Sequence, residues 1–164
     1  MNDNMNKEIQ KLARQMHNSA YCIEVEVLDD GKLPCKAHRT DAGFDLFATS
    51  DIEIIPGQIM KHPLNIKMKL PRGTYAQIES KSGLGSKGLL VYAGVIDETY
   101  RGVPHVVGAN LNIHEGKPII VKAGEKLAQL TMRPHANEYF IMQVDKVDTD
   151  TDRGTGGFGS TGVK

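Results

Sequence analysis

Lys81 and Ser82 open a Ser-Gly-Leu-Gly loop within "SKSGLGSKG" (80–88). A cation, a hydroxyl and converging main-chain N–H donors are the groups a phosphate chain takes. Arg153, in "RGTGGFGSTG" (153–162), offers a planar fork suited to a terminal phosphate, and Phe158 offers a face on which a base can stack. Asp97, in "AGVIDETYRG" (93–102), is a candidate general base for a water. Asp45, in "DAGFDLFA" (41–48), is a candidate outer-sphere partner for a metal carried in on the phosphates. The fifth polar segment is "GEKLAQL" (124–130), with Gln129. Each has a plain structural alternative: a strand-edge charge at Asp45, a flexible loop at 80–88, a turn at Asp97-Glu98, a half-buried strand residue at Gln129. Together they describe a nucleoside triphosphate site. The loop has neither a Walker lysine pattern nor a strand–GxGxxG–helix context, which excludes a P-loop or Rossmann site.

Composition excludes several other classes. The 164 residues carry 20 Lys+Arg against 20 Asp+Glu, so no overall field recruits nucleic acid or an anionic membrane. No apolar run is long enough to span a bilayer, and the N-terminus lacks a charged-then-apolar secretory pattern. Cys22 and Cys35 are too few for a disulfide framework, and no Cys/His spacing suggests zinc. The six histidines show no HxxxH or HxH pattern, which favours core or surface roles. A cytoplasmic protein is expected, in the host-cell cytosol or nucleus if viral.

The elements that must position these residues are strands. "CIEVEVL" alternates Ile23, Val25 and Val27 against Glu24 and Glu26; "LNIKMKL" alternates Leu64, Ile66, Met68 and Leu70 against Asn65, Lys67 and Lys69. Short apolar runs follow at 52–55, 75–78, 89–92, 104–107, 118–121, 127–132 and 139–144, with glycine and proline punctuating every eight to twelve residues. That pattern predicts an all-β sandwich or barrel rather than βαβ units. The one convincing helix spans 5–17, where Ile9, Leu12, Ala13 and Met16 form a narrow apolar stripe. Three regions follow: an N-terminal helical extension (1–20), a β domain (21–149) and a glycine-rich tail (150–164). Composition alone makes that tail a flexible one.

In order and spacing, the five segments closely resemble the five motifs of the homotrimeric dUTP pyrophosphatases (dUTPases), over residues from about 21 to 162. The resemblance implies a distorted β-jelly-roll subunit and a threefold homotrimer with sites at subunit interfaces. It also implies Mg²⁺-dependent hydrolysis of dUTP to dUMP and pyrophosphate, which keeps uracil out of DNA and supplies dUMP for thymidylate synthesis. By position, Asp97 resembles the residue that deprotonates the attacking water, and Tyr100 the tyrosine under the deoxyribose. Lys81 matches the charged position beside the α-phosphate, Ser82 the motif-two serine at the phosphates with Gly83 beside it, and Gln129 the motif-four phosphate contact. Asp45 resembles the aspartate near the metal's water shell. Arg153 resembles the arginine on the γ-phosphate and Phe158 the aromatic on uracil, with Gly159 and Ser160 beside it. The resemblance further implies that Gly94 and Ile96 belong to a hairpin, Leu89–Ile96, that reads uracil, and that the tail closes over a neighbouring subunit's site.

Two departures stand out. Most members have Pro-Arg-Ser-Gly in motif two, where this chain has Ser80-Lys81-Ser82-Gly83; lysine is a point charge rather than a fork. The stretch between Lys81 and Asp97 is also short for the family. Other readings of the same features are a dCTP deaminase or bifunctional deaminase–dUTPase, which usually lack the tail, and a dUTP-sensing module that contacts a partner through the N-terminal helix. Neither direct nucleic-acid binding nor membrane association is expected.

Overall fold

The computed structural model describes residues 22–136 and 138–154. The expected helix at 5–17 and the tail residues Phe158, Gly159 and Ser160 lie outside the described residues.

Alternation builds the scaffold. Strand β1 (Glu24–Val27) pairs antiparallel with β5 (Ile66–Lys69), setting Val25 opposite Met68 and Val27 opposite Ile66. On the other face the Lys69 Nζ lies 2.6 Å from Glu24, and Lys67 lies 3.4 Å from Glu26. These exposed cross-strand pairs fix register more than they add stability, each contributing about 0–1 kcal/mol. Ile66 and Met68 turn inward and are buried.

The other strands complete a jelly roll of short segments. Strand β3 (Ile52–Ile54) pairs with β10 (Ile119–Val121). Strands β4 (Ile59–Pro63), β9 (His105–Asn110) and β7 (Leu89–Tyr92) form a three-stranded sheet in that order. A four-stranded sheet runs β2 (Phe44–Phe47), β11 (Lys126–Pro134), β6 (Thr74–Glu79), β8 (Val95–Ile96), and it carries the candidate residues Asp45, Gln129 and Ile96. Leu46, Ile54, Leu89, Val106, Val121, Leu127 and Leu130 fill the core between the sheets with almost no exposure. Asn110, also buried, joins loops across it, donating to the carbonyls of Ile54 and Lys117 at 2.8 and 3.0 Å and accepting from the Asn112 amide. Among the described residues no helix is long and apolar enough to cross a membrane.

Three local expectations change. The run 139–144 is not a strand in the single chain: it lies within 138–154, all of it exposed and outside any sheet. An apolar alternating segment becomes a strand only when an edge pairs with it. The segment 89–96 is not a hairpin folded on itself, because β7 pairs with β9 while β8 pairs with β6. The chain changes sheets at Ala93-Gly94. The loop at 80–88 contains one helical turn, α1 (Ser82–Gly85).

Candidate active site

Cross-strand register sets the first cluster. On the central sheet Asp45 of β2 stands opposite Gln129 of β11, which stands opposite Glu79 of β6. The row leads to the point where β6 ends and the polar loop begins. Gln129 Nε2 donates to the Ser80 carbonyl at 3.0 Å, and the Ser80 hydroxyl accepts the Val91 amide at 2.9 Å. Gly43 makes room for that glutamine: a Cβ there would sit 2.8 Å from Gln129 Oε1. Lys81 then caps α1 in extended conformation, and its carbonyl accepts the Gly85 amide at 2.7 Å. The turn leaves the amides of Ser82 and Gly83 outside the intrahelical ladder.

Asp45 is a buried anion with two cations. It is 6% exposed, with Oδ1 at 2.7 Å from Lys81 Nζ and Oδ2 at 2.6 Å from Lys126 Nζ. Burial alone pushes its carboxyl up, but the hydrogen bonds and charges of Lys126 and Lys81 outweigh this and hold it below its ordinary value. Asp45 raises Lys126 in return.

The second cluster is a cleft of about 180 Å³ lined by Ile78, Ala93, Gly94, Ile96, Asp97, Tyr100 and the Val103–His105 chain, among others. Ile78 donates its amide to the Gly94 carbonyl at 2.8 Å. A Cβ on Gly94 would meet the Ile78 carbonyl oxygen at 2.3 Å, so only glycine permits this approach. Ala93, in the left-handed region at φ 52°, makes the bend before it. Ile96 is buried, while Asp97 is exposed at the lip.

Hydrogen bonds fix the chain beyond Asp97. The Tyr100 amide donates to the Asp97 carbonyl at 3.1 Å, and its hydroxyl donates to the Val103 carbonyl at 3.2 Å. Its ring lies so close over Gly102 that a Cβ there would come within 2.5 Å of the hydroxyl oxygen. Glu98 accepts the Gly73 amide at 2.7 Å, and the Arg101 guanidinium donates to the carbonyls of Glu98 and Tyr100. A wider depression of about 560 Å³, lined in part by Tyr75, Glu98 and His135, also opens on Asp97. Only the smaller of these two cavities presents the close-approach backbone and Tyr100 together.

Lys81, Asp45 and Gln129 therefore share one cluster, while Gly94, Ile96, Asp97 and Tyr100 share the other. Arg153 lies in the exposed run 138–154 and does not line the cleft. Sequence reasoning passed over Ser80 and Lys126. Both lie inside segments it had singled out, Ser80 at the start of the phosphate-type loop and Lys126 three residues before Gln129. Among the described residues no group of three or more acidic, histidine or cysteine side chains is arranged to hold a metal.

An all-β subunit with a phosphate-type loop joined to a backbone-lined cleft defines a nucleotide-hydrolysing class, and the comparisons narrow it. A dUTPase family model matches residues 29–162. The chain is 40% identical over 153 residues to the deoxyuridine 5'-triphosphate nucleotidohydrolase of Clostridium tetani, covering 87% of this chain and 97% of that one. It is 35% identical over 143 residues to the Pol polyprotein of Ovine maedi visna related virus, of whose length it spans 13%. In structure it resembles the dUTPase of Staphylococcus bacteriophage 80alpha, solved with dUPNHPP. There the TM-score is 0.74 at 25% identity, covering 87% of this chain and 99% of that one. A mutant dUTPase from phage phi11 of S. aureus, whose structure describes a structural Mg(II) ion, shares the fold at TM-score 0.68 and 24% identity. The chain belongs to the dUTPase family, and its activity is dUTP hydrolysis.

Proposed function

We propose that dUTP binds with its base and sugar in the 180 Å³ cleft and its phosphates along the Ser80–Gly88 loop, and that Asp97 activates the water which cleaves it. The observation that carries this reading is the shared lining: Gly94, Ile96, Asp97 and Tyr100 face one cavity, immediately beside an edge strand. The cleft is smaller than the roughly 300–1,000 Å³ of complete ligand sites. It suits a base and sugar, leaving the triphosphate to the adjacent loop.

Strand β8 pairs with β6 on one side and ends the sheet on the other. The main-chain N–H and C=O groups of an outer edge read uracil's donor–acceptor pattern, and their closeness leaves no volume for the thymine methyl. Tyr100, braced by Gly102 and Val103, supports the deoxyribose and excludes a 2′-hydroxyl. Asp97 accepts a proton from water as its oxygen bonds to the α-phosphorus. The α–β bridging bond breaks, and pyrophosphate leaves with the bridging oxygen. Lys81 meets charge building on the α-phosphate, Ser82 and Gly83 donate to phosphate oxygens, and Gln129 holds the loop from below. Arg153 and the tail residues Phe158, Gly159 and Ser160 are assigned to the γ-phosphate and the uracil face.

The donor set suits a Mg²⁺ that arrives on the phosphates rather than one caged by protein, because Asp45 is an isolated carboxylate already bonded to two lysines. Its oxygens retain lone pairs for a metal-bound water. When bound, Mg²⁺ supplies neutralisation of phosphate charge.

The assembly is a homotrimer with the tail serving a neighbour's site. Support comes from the fully exposed run 138–154, which carries Tyr139, Phe140, Ile141 and Met142, all at least 70% exposed in the single chain. The test of the function is pyrophosphate release from dUTP, dCTP, dTTP and UTP at equal concentration. The reading expects kcat/KM for dUTP to exceed the others by a factor on the order of 10⁴. Comparable pyrophosphate release from dCTP, accompanied by ammonia, would move the chain to the bifunctional deaminase–dUTPases.

A further inference from the structure

We infer that Lys126 is a positioning residue for the reaction: it keeps Asp45 satisfied so that Lys81 can leave that carboxylate for the substrate's phosphate. This rests on the proposed role of Lys81 at the α-phosphate.

A bulge in β11 sets the position of Lys126. Along β11, Gln129 opposes Asp45 and Ala128 opposes Leu46, a register that would place Leu127 opposite Phe47. Instead Lys126 opposes Phe47, and Leu127 is the extra residue. Strict alternation would send Lys126 to the face of Ala128 and Leu130, both buried in the core. The bulge turns it onto the face of Asp45 and Gln129, and its ammonium reaches Asp45 Oδ2 at 2.6 Å. Re-aiming one side chain beside a functional site is a recurring use of bulges.

The pair solves a physical problem. Lys81 is held by Asp45 in the structure, yet its proposed task lies on the phosphates. If Asp45 had no second partner, releasing Lys81 would strand a carboxylate on a side chain only 9% accessible, and an unpaired buried charge is strongly unfavourable. Lys81 would then stay where it is. With Lys126 on the other oxygen, the carboxylate keeps a charged partner throughout. The Lys81 ammonium moves between two anions, Asp45 and phosphate, and no bond is made or broken. The two lysines differ in exposure, with side chains 31% accessible for Lys81 and 43% for Lys126, so both ammonium groups keep some water during the exchange.

The experiment is a double-mutant cycle read in steady-state kinetics with dUTP and Mg²⁺. Lys126→Met keeps the apolar stem and removes the charge. In the wild-type background it should lower kcat about tenfold while changing KM less than about threefold. In the Lys81→Ala background it should change kcat less than about twofold, because the residue it acts through is gone. Lys126→Arg should recover kcat to within about threefold. Equal losses of kcat in both backgrounds, tracking a fall in melting temperature, would overturn the inference by making Lys126 a structural cation. So would an unchanged kcat in Lys126→Met alone. If Lys81→Ala itself left kcat unchanged, the phosphate role of Lys81 would fall, and the inference with it; only that outcome implicates the parent reading. Should Lys126→Met fail to melt cooperatively, Lys126→Gln takes its place in the same cycle.

Discussion

The Ser80 hydroxyl accepts the Val91 amide at 2.9 Å, tying the first residue of the phosphate-type loop to the strand that leads into the 180 Å³ cleft. The same residue's carbonyl is held by Gln129. Ser80 thus couples the two clusters mechanically, although it is not assigned to touch substrate.

Ser80→Ala leaves the amide of Val91, a residue only 8% exposed, without its partner. The expected cost is about 1–3 kcal/mol of folding stability in denaturant titration. KM for dUTP should rise several-fold, because the loop is no longer registered against the cleft. Unchanged stability and KM would show that the tie holds nothing.

Gly94→Ala places a methyl 2.3 Å from a main-chain oxygen that cannot swing away. Strand β8 must shift against β6, so the cleft changes shape. KM for dUTP should rise on the order of tenfold or more while the far-UV circular dichroism stays that of a β protein. A variant with wild-type KM would mean that base recognition does not depend on this close approach.

His62 is a buried histidine whose Nε2 accepts the Thr49 amide at 2.9 Å. Burial, and then the charge of His105, hold it below its ordinary value of 6.5. The unfolded chain therefore takes up this proton more readily than the folded one. The stability it contributes is complete above about pH 6.5 and is lost as pH falls through the lower folded value. The melting temperature should decline from pH 7 to pH 5, and His62→Gln should reduce that decline. An equal slope in both proteins would assign the acid sensitivity elsewhere.

Much of this was legible because periodicity and punctuation report local physics. Alternation in 23–27 and 64–70 marked β1 and β5 directly, since one face of each pair is wet and charged. Asp45, Lys81, Asp97 and Gln129 stood out because polar segments interrupted that pattern. Lys126 did not, because its contact depends on a one-residue bulge at Leu127, which alternation cannot foresee. The sheet change at Ala93-Gly94 was hidden because the hairpin over Leu89–Ile96 was an expectation from the family resemblance, which does not say that β7 pairs with β9 and β8 with β6. The apolar run 139–144 has strand character in sequence, but its partner edge is not supplied by the single chain. Phe158, Gly159 and Ser160 were read from their motif alone and lie outside the described residues.

The most direct test of the account is Asp97→Asn, assayed for both turnover and binding. Amide replaces carboxylate with nearly the same shape at the lip of the cleft, so contacts with base, sugar and phosphates should survive while the proton acceptor is lost. Binding of a non-hydrolysable dUTP analogue, measured by calorimetry, should remain within about threefold of wild type, and kcat should fall on the order of 10²–10⁴-fold. A variant that keeps kcat within tenfold of wild type would contradict the assignment of Asp97, and with it the placement of the chemistry at this cleft.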